Sequence, residues 1–310
     1  MSYRIMTMEK KIKNIQIIIN PAAGMGESIL PIINASMKEA GIKWEASITH
    51  KAYDATQFTK AAVKKGVDAI AVYGGDGTLT ETISGLISSN IPLIILPGGS
   101  ANVLASELKI PNDLKTACAL IKQGLFQTRL IDVGEFNQRY FITRISLGFE
   151  AETVKSTSQE TKNKLGIFAY FLSAFAALKK TKKTTYHLNI DGQEHKIKGL
   201  NCFITNTGNL GFSHISFDQH IDISDGLLDI IIVRKANLSL FKLLVVTFLK
   251  RQRPDNLELV GHWQGKDIRI TARPKQNIQC DGEILEKKPL HIRIIPKAIK
   301  VLIPKQKQEQ

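Results

Sequence analysis

Gly74-Gly75-Asp76-Gly77-Thr78 stands between an apolar run, Asp68 to Tyr73, and a stretch with helical spacing, Leu79 to Ile87. The order is strand, tight turn, helix. A helix that starts in such a turn presents backbone N–H groups to an anion. Glycine permits the close approach because it has no Cβ, and it tolerates positive φ. Asp76 would repel phosphate if it acted alone. A divalent cation or an ordered set of donors between the two removes that conflict. The turn therefore reads as a nucleotide–metal site rather than a simple anion site.

On either side the chain alternates strand and helix. Asn14 to Asn20 is a β-rich run, Gly26 to Ala40 has helical spacing, Trp44 to Ile48 reads as strand, and Asp54 suits an N-cap for a helix through Lys65. Strand, helix and strand follow at Asp68 to Tyr73, Thr78 to Ser88 and Ile91 to Leu96. Pro111 and Asp113 open another helix, which Gly124 ends. Such alternation predicts a parallel sheet with helices on both faces, where ligands sit beyond the carboxyl ends of the strands. Glycine-containing turns follow Asn20, Tyr73 and Leu96, all at strand carboxyl ends.

From about Gly134 the period changes to two. Tyr186, Leu188 and Ile190 alternate up to a hairpin-type turn, Asp191-Gly192, and Ile268, Ile270 and Ala272 alternate again. Strand runs recur at Leu200–Thr205, Leu227–Val233, Glu258–His262 and Leu290–Ile295, interrupted by helical segments at Leu165–Leu178 and Leu238–Lys250. The fold class is α/β plus all-β: an N-terminal parallel-sheet domain, then an antiparallel β-sandwich. No internal repeat occurs, and only Lys305 to Gln310 reads as disordered.

Composition narrows the function classes. A length of 310 residues suits two domains. The apolar stretches are too short and interrupted to span a bilayer, and Met1 to Ile12 lacks a signal-peptide pattern, so a cytoplasmic location is expected. Cys118, Cys202 and Cys280 are far apart and form no CxxC pair, and the histidines form no HxxxH or HExxH spacing. Zinc and disulfide frameworks are thereby disfavoured, and Cys280 reads as a small strand residue rather than a catalytic thiol. The net charge of +14 implies an acidic partner: nucleotide, nucleic acid or anionic lipid. Basic clusters occur at Lys10-Lys11-Lys13, Lys179-Lys180-Lys182-Lys183 and Lys250-Arg251-Arg253, without a nucleic-acid-binding signature beside them. No nucleic-acid partner is expected.

Four segments carry the chemistry: Asn20-Pro21-Ala22-Ala23-Gly24, the glycine turn with Glu81 beyond it, Pro97-Gly98-Gly99-Ser100-Ala101-Asn102, and Asp281-Gly282-Glu283. Each has a bland reading when taken singly; Asp281-Gly282 alone is an ordinary hairpin turn. In this order, over roughly Ile15 to Ile303, they resemble the diacylglycerol kinase catalytic family, which includes bacterial soluble lipid kinases, sphingosine kinases and ceramide kinases. The resemblance implies an ATP-dependent kinase acting on a lipid hydroxyl and a fold of the NAD kinase/diacylglycerol kinase type. It implies an ATP-binding domain over 1–134 to which 296–310 returns, and a lipid-substrate domain over 135–295, with the active site in the cleft between them.

Phosphoryl transfer needs positioning, charge neutralisation and an acceptor for the hydroxyl proton. Gly74, Gly75, Gly77 and Thr78 are expected to hold the triphosphate, with side-chain hydrogen bonds from Asn20, Ser100 and Asn102 and with Thr49 closing the nucleotide site. Asp76 is expected to place Mg²⁺. The resemblance makes Asp281 the base, with Glu283 orienting it or joining the metal network. Two carboxylates two residues apart on one strand would share a face. The segment Asp222-Ile223-Ser224-Asp225-Gly226-Leu227-Leu228-Asp229 resembles a loop that holds a structural Mg²⁺ in bacterial members. Asp225 would then give a carboxylate, and Asp222 and Leu227 oxygen ligands; an ordinary Asp-Gly turn is the alternative. One departure is Val103, where many bacterial members have Asp.

A lipid substrate implies peripheral contact with an anionic membrane, for which Leu165–Leu178 and Leu238–Lys250 are candidate interfacial helices. A homodimer is an open option for the assembly. Two other functions stay open: an NAD kinase-like enzyme, which shares the glycine turn, and a non-catalytic nucleotide or lipid sensor.

Overall fold

The computed structural model describes residues 12–24, 28–148, 181–209, 221–237 and 259–305. Both candidate interfacial helices lie outside the described residues, as do the basic residues at 10, 11, 179, 180, 250, 251 and 253. Among the described residues the chain forms two compact units. One takes the chain up to Val133 and again from Pro296; the other takes the chain from Gly134 to Ile295.

The first unit opens with β1 (Asn14–Ile19), α1 (Ile29–Ala40), β2 (Lys43–Ile48), α2 (Asp54–Lys65), β3 (Ala69–Gly74), α3 (Asp76–Leu86), β4 (Leu93–Pro97), α4 (Val103–Glu107) and α5 (Leu114–Gln123). The strands run parallel in the order β2-β1-β3-β4. Nearly every residue of β1 and all of β3 are buried, as strands covered on both faces must be. Ile33 and Met37 of α1 and Leu114, Cys118 and Ile121 of α5 share a core cluster with Ile15, Ile17 and Ile19. The paired α2 and α3 pack on β1 and β3.

Helix α5 ends as its residue chemistry requires, and α2 does not. Asp113 caps α5 by accepting from Thr116 N at 2.8 Å, and Gly124 ends it in the left-handed region at φ 62°. Asp54, in contrast, is the first helical residue of α2, and Tyr53 is the N-cap with φ 70°. The Asp54 carboxylate turns back to accept from His50 N at 2.9 Å and Lys51 N at 3.1 Å. It therefore fastens the loop before the helix instead of the helix's first turn.

The second unit is built from the end of β5 (Phe126–Phe136), β6 (Arg139–Phe141), β7 (Arg144–Leu147), β8 (Thr184–Ile190), β9 (Gln193–Gly199), β10 (Asn201–Thr205), β11 (Leu228–Val233), β12 (Val260–Gly265), β13 (Asp267–Arg273), β14 (Ile278–Cys280), β15 (Glu283–Leu285) and the start of β16 (Leu290–Pro304). One antiparallel sheet has the order β12-β11-β10-β7-β14-β15; in the other, β13 lies between β16 and β8, and β9 is the edge. Tyr186, Leu188, Ile268 and Ile292 from one sheet share a core cluster with Ile145, Ile204, Ile230 and Ile278 from the other. The architecture is a β-sandwich. Asp191 and Gly192 join β8 to β9 with φ of 49° and 89°, the two positive values that a two-residue hairpin turn demands. Beyond Pro296, β16 lies parallel to β4 in the first unit, with Val301 beside Leu93.

Candidate active site

Three loops at the carboxyl ends of β1, β3 and β4 are tied together in the first unit. Asn20 N donates to Tyr73 O at 2.9 Å, Gly98 N to Gly74 O at 3.1 Å, and Gly24 N to Gly98 O at 2.6 Å. The Asn20 amide spans two of the loops, donating from Nδ2 to Thr78 Oγ1 at 3.0 Å while its Oδ1 accepts from Ala22 N at 3.0 Å. The glycines of the turn serve two separate ends. A Cβ on Gly99 would fall 2.5 Å from Gly75 Cα, so these two allow backbone to pack on backbone. None of Gly74, Gly75, Gly77, Gly98 and Gly99 has a positive φ, so close approach and not left-handed geometry explains them. Gly77 is different: it is exposed, and a Cβ there would meet nothing within 4 Å.

Gly77 lines an open cavity of about 460 Å³ together with Asn20, Thr49, Thr78 and Glu81. Its far wall is the loop after β2, through His50, Lys51 and Ala52, which the sequence did not single out beyond Thr49. That loop is held by Asp54, whose carboxyl the backbone N–H of His50 keeps below its ordinary value, with Lys51 helping. Glu81 Oε2 accepts from Ala55 N at 3.2 Å, so it braces the start of α2 from across the cavity.

Asp76 and Asn102 bind protein groups. Asp76 opens α3, and its carboxylate accepts from Val103 N at 3.1 Å and Leu104 N at 3.3 Å, the first amides of α4. A half-buried aspartate in a glycine turn thus has a structural task. The Val103 position contributes its backbone N–H to Asp76. Asn102, at φ 48°, closes its own loop through Gly99 N to Oδ1 at 2.9 Å and Nδ2 to Gly99 O at 2.8 Å. Ser100 is exposed on that loop.

In the second unit Asp281 and Gly282 form the two-residue turn between β14 and β15, with φ of 43° and 96°. Asp281 and Glu283 are therefore not neighbours on one strand. Glu283 begins β15 opposite Cys280, and the expectation of a shared strand face is corrected. Asp281 is fixed by a segment far away in sequence. Its Oδ1 accepts from Thr143 N at 3.1 Å, Arg144 N at 3.0 Å and the Thr143 hydroxyl; Oδ2 accepts from Ile142 N at 2.9 Å. No local pattern in the sequence marks residues 142–144 for this.

The proposed structural-metal loop consists of two successive side-chain turns. Asp222 Oδ1 accepts from Ser224 N at 3.0 Å and Asp225 Oδ1 from Leu227 N at 2.9 Å, while the Asp222 carbonyl accepts from Asp225 N at 3.2 Å. Among the described residues no group of three or more His, Cys, Asp or Glu is placed to hold a metal. The cysteines are buried and free; burial pushes the Cys118 thiol up to about 11 and raises those of Cys202 and Cys280 further. A nucleophilic thiol is excluded by this burial.

Comparison with known proteins agrees with the motif order. Residues 14–136 match the diacylglycerol kinase catalytic domain, and residues 143–303 match the YegS C-terminal NAD kinase beta sandwich-like domain. A diacylglycerol kinase of Staphylococcus carnosus is 30% identical over 94% of this chain and 96% of its own length. One from Staphylococcus aureus is 29% identical over 94% and 93%. An uncharacterized protein of Synechocystis sp. is 30% identical over 95% and 71%. Among solved structures, a diacylglycerol kinase from Bacillus anthracis str. Sterne superposes with a TM-score of 0.78 at 25% identity, covering 95% of this chain and 98% of that one. With the glycine loops, the sandwich and the DGE turn in place, the chain belongs to the diacylglycerol kinase family of lipid kinases.

Proposed function

We propose that this lipid kinase transfers the γ-phosphoryl group of Mg-ATP to the hydroxyl of diacylglycerol or a closely related lipid. The observation that carries the nucleotide half is the open cavity beside Gly77, at the amino end of α3. A Cβ there would enter the cavity and nothing else, and the first N–H groups of the helix lack intrahelical partners. Residues Asn20, Thr49, Gly77 and Thr78 line the space that would take the phosphates, with Gly74, Gly75, Ser100 and Asn102 shaping the adjoining loops. Bound Mg-ATP would supply the phosphoryl group, and its metal would neutralise charge that develops during transfer.

The chain's own residues do the rest. Asp76 holds the start of α4 and is the carboxylate nearest in sequence to the phosphate-binding amides, so it is assigned to the metal as well. Asp281 is held by three backbone amides and a hydroxyl, which fixes the orientation of its carboxylate. It takes the lipid hydroxyl proton, Oδ2 being the oxygen less engaged in these bonds, and Glu283 supports it from the next strand. Asp222, Asp225 and Leu227 are assigned to a structural Mg²⁺, a role that requires oxygen ligation.

The test is transfer of label from γ-labelled ATP to diacylglycerol, phosphatidylglycerol, sphingosine, ceramide and monoacylglycerol in mixed micelles, with NAD as a soluble control. Labelled lipid is expected, and Asp281→Asn should lower the rate at least about 100-fold while nucleotide binding stays close to normal. Labelled NAD without labelled lipid would move the activity to NAD kinase chemistry. Asn places an amide where Oδ2 faces Ile142 N, so the melting temperature of the variant must be compared first.

A further inference from the structure

We infer that the outward face of the β16-β13-β8-β9 sheet is a docking surface for anionic lipid headgroups. The inference rests on the lipid-kinase reading for its partner, but its geometry is independent of the catalytic assignments. Side chains alternate across a strand, and paired residues share a face. Tyr186, Leu188, Ile268, Ile270 and Ile292 point into the sandwich core. Their neighbours must then point outward. The register sets Lys198, Thr185 and Arg273 in one row, Lys196, His187 and Thr271 in the next, and Glu194, Asn189, Arg269 and His291 in a third.

Charge is unevenly divided over this face. At one end carboxylates stand among the donors: His291 pairs with Asp267 at 2.9 Å, Arg293 pairs with Glu135 at 3.2 Å, and Glu194 accepts from Asn189 at 2.7 Å. Arg269, in the row of His291 and Glu194, and Lys196, Lys198 and Arg273 in the rows beyond it are exposed, and among the described residues none of the four is in an ion pair. Lys198 and Arg273 are separated by one strand, about 10 Å. These four cations outnumber the one carboxylate of the three rows, Glu194, and extend to the edge strand as an array of donors.

A headgroup plane matches such an array better than nucleic acid does. The rows contain no Phe, Tyr or Trp to stack on bases, and a flat sheet face enters neither groove of a duplex. Without an apolar wedge the contact stays at headgroup level, so it must depend strongly on salt. The surface also differs from the two apolar segments of the sequence, which as interfacial helices would bury apolar side chains below the headgroups.

The test is co-sedimentation of the full chain with phosphatidylcholine vesicles, with and without phosphatidylglycerol. Binding is expected only with phosphatidylglycerol and should fall as salt rises. The variant Lys196→Gln, Lys198→Gln, Arg269→Gln, Arg273→Gln should bind at least about tenfold more weakly, since each basic residue near an anionic surface contributes about a fivefold factor. A control variant, Lys38→Gln, Lys60→Gln, Lys64→Gln, Lys115→Gln, removes the same charge from exposed helix positions of the other unit and should bind normally. Equal loss in both variants, no loss in the sheet variant, or no vesicle binding by the parent protein would each overturn the assignment. Tighter binding to an oligonucleotide than to vesicles, lost in the sheet variant, would reassign the face to nucleic acid. In mixed micelles without anionic lipid, the sheet variant should phosphorylate lipid at the parent rate. Vesicle binding without any lipid phosphorylation would refute the catalytic reading and leave the docking surface standing.

Discussion

At the residue scale, glycines in one short motif carry opposite consequences. Gly77 sits in the first turn of α3 with open space above it, whereas Gly99 packs its backbone on Gly75. Gly77→Ala should leave the melting temperature unchanged or slightly raised, since alanine favours a helix by about 0.5–1 kcal/mol over glycine. The same change should weaken Mg-ATP binding about tenfold, read by calorimetry. Gly99→Ala should instead destabilise the fold by about 1–3 kcal/mol in urea unfolding, because the added Cβ would fall 2.5 Å from backbone, Gly75 Cα, and 2.9 Å from Asn102 Oδ1. If the two variants behaved alike, the division between ligand-facing and packing glycines would be wrong. The motif itself was legible in the sequence; which glycine did which was not, because the close approach of Gly75 and Gly99 joins loops that are separate in the chain. The same holds for Asp76 and Asp281. Their acceptor chemistry was visible, but the amides of Val103 and Leu104, and of Ile142 to Arg144, reach them only through folding.

At the scale of elements, caps and turns that use their own neighbours were readable, and those that use distant partners were not. Asp113 and Gly124 bracket α5 as their residue types require, and Asp191-Gly192 makes the turn its sequence demands. Asp113→Ala should cost about 1 kcal/mol of stability near neutral pH. The Thr116 hydroxyl and then its backbone N–H hold the Asp113 carboxyl below its ordinary value. A carboxyl depressed in the folded state contributes stability that is present above the unfolded pKa of about 3.9 and lost as pH falls through the folded value. Urea titrations from pH 6 down to pH 2 should therefore show the parent protein and Asp113→Ala converging at the acid end. A constant gap would mean that the charge plays no part. Asp54 failed as a forward cap for a readable physical reason: Tyr53 takes the left-handed conformation, which turns the carboxylate back onto the loop that walls the cavity. The short α4 escaped because a five-residue helix carries too few residues to show a period.

At the scale of the whole molecule, nucleotide binding and chemical access give global readouts. Mg-ATP at one hundred times its dissociation constant should stabilise the protein by about 2.7 kcal/mol, and Gly77→Ala, binding about tenfold more weakly, should reduce the shift to about 1.4 kcal/mol at the same concentration. All three thiols are buried, so none should react with an alkylating reagent at pH 7 until the chain is unfolded; rapid labelling of the native protein would contradict their burial. Among the described residues no helix is long and apolar enough to cross a membrane. The sequence alone determined the two architectures, because periods of 3.6 and 2 record how each segment buries its apolar side. It also determined the family, because four motifs in fixed order are a property of the chain. Only the tertiary structure decided what holds those motifs in place. The donors to Asp76 come from 27 and 28 residues away, and those to Asp281 from 137 to 139. Backbone amides are the same at every residue and leave no mark in a sequence, so their choice of partner is fixed by packing and not by residue type.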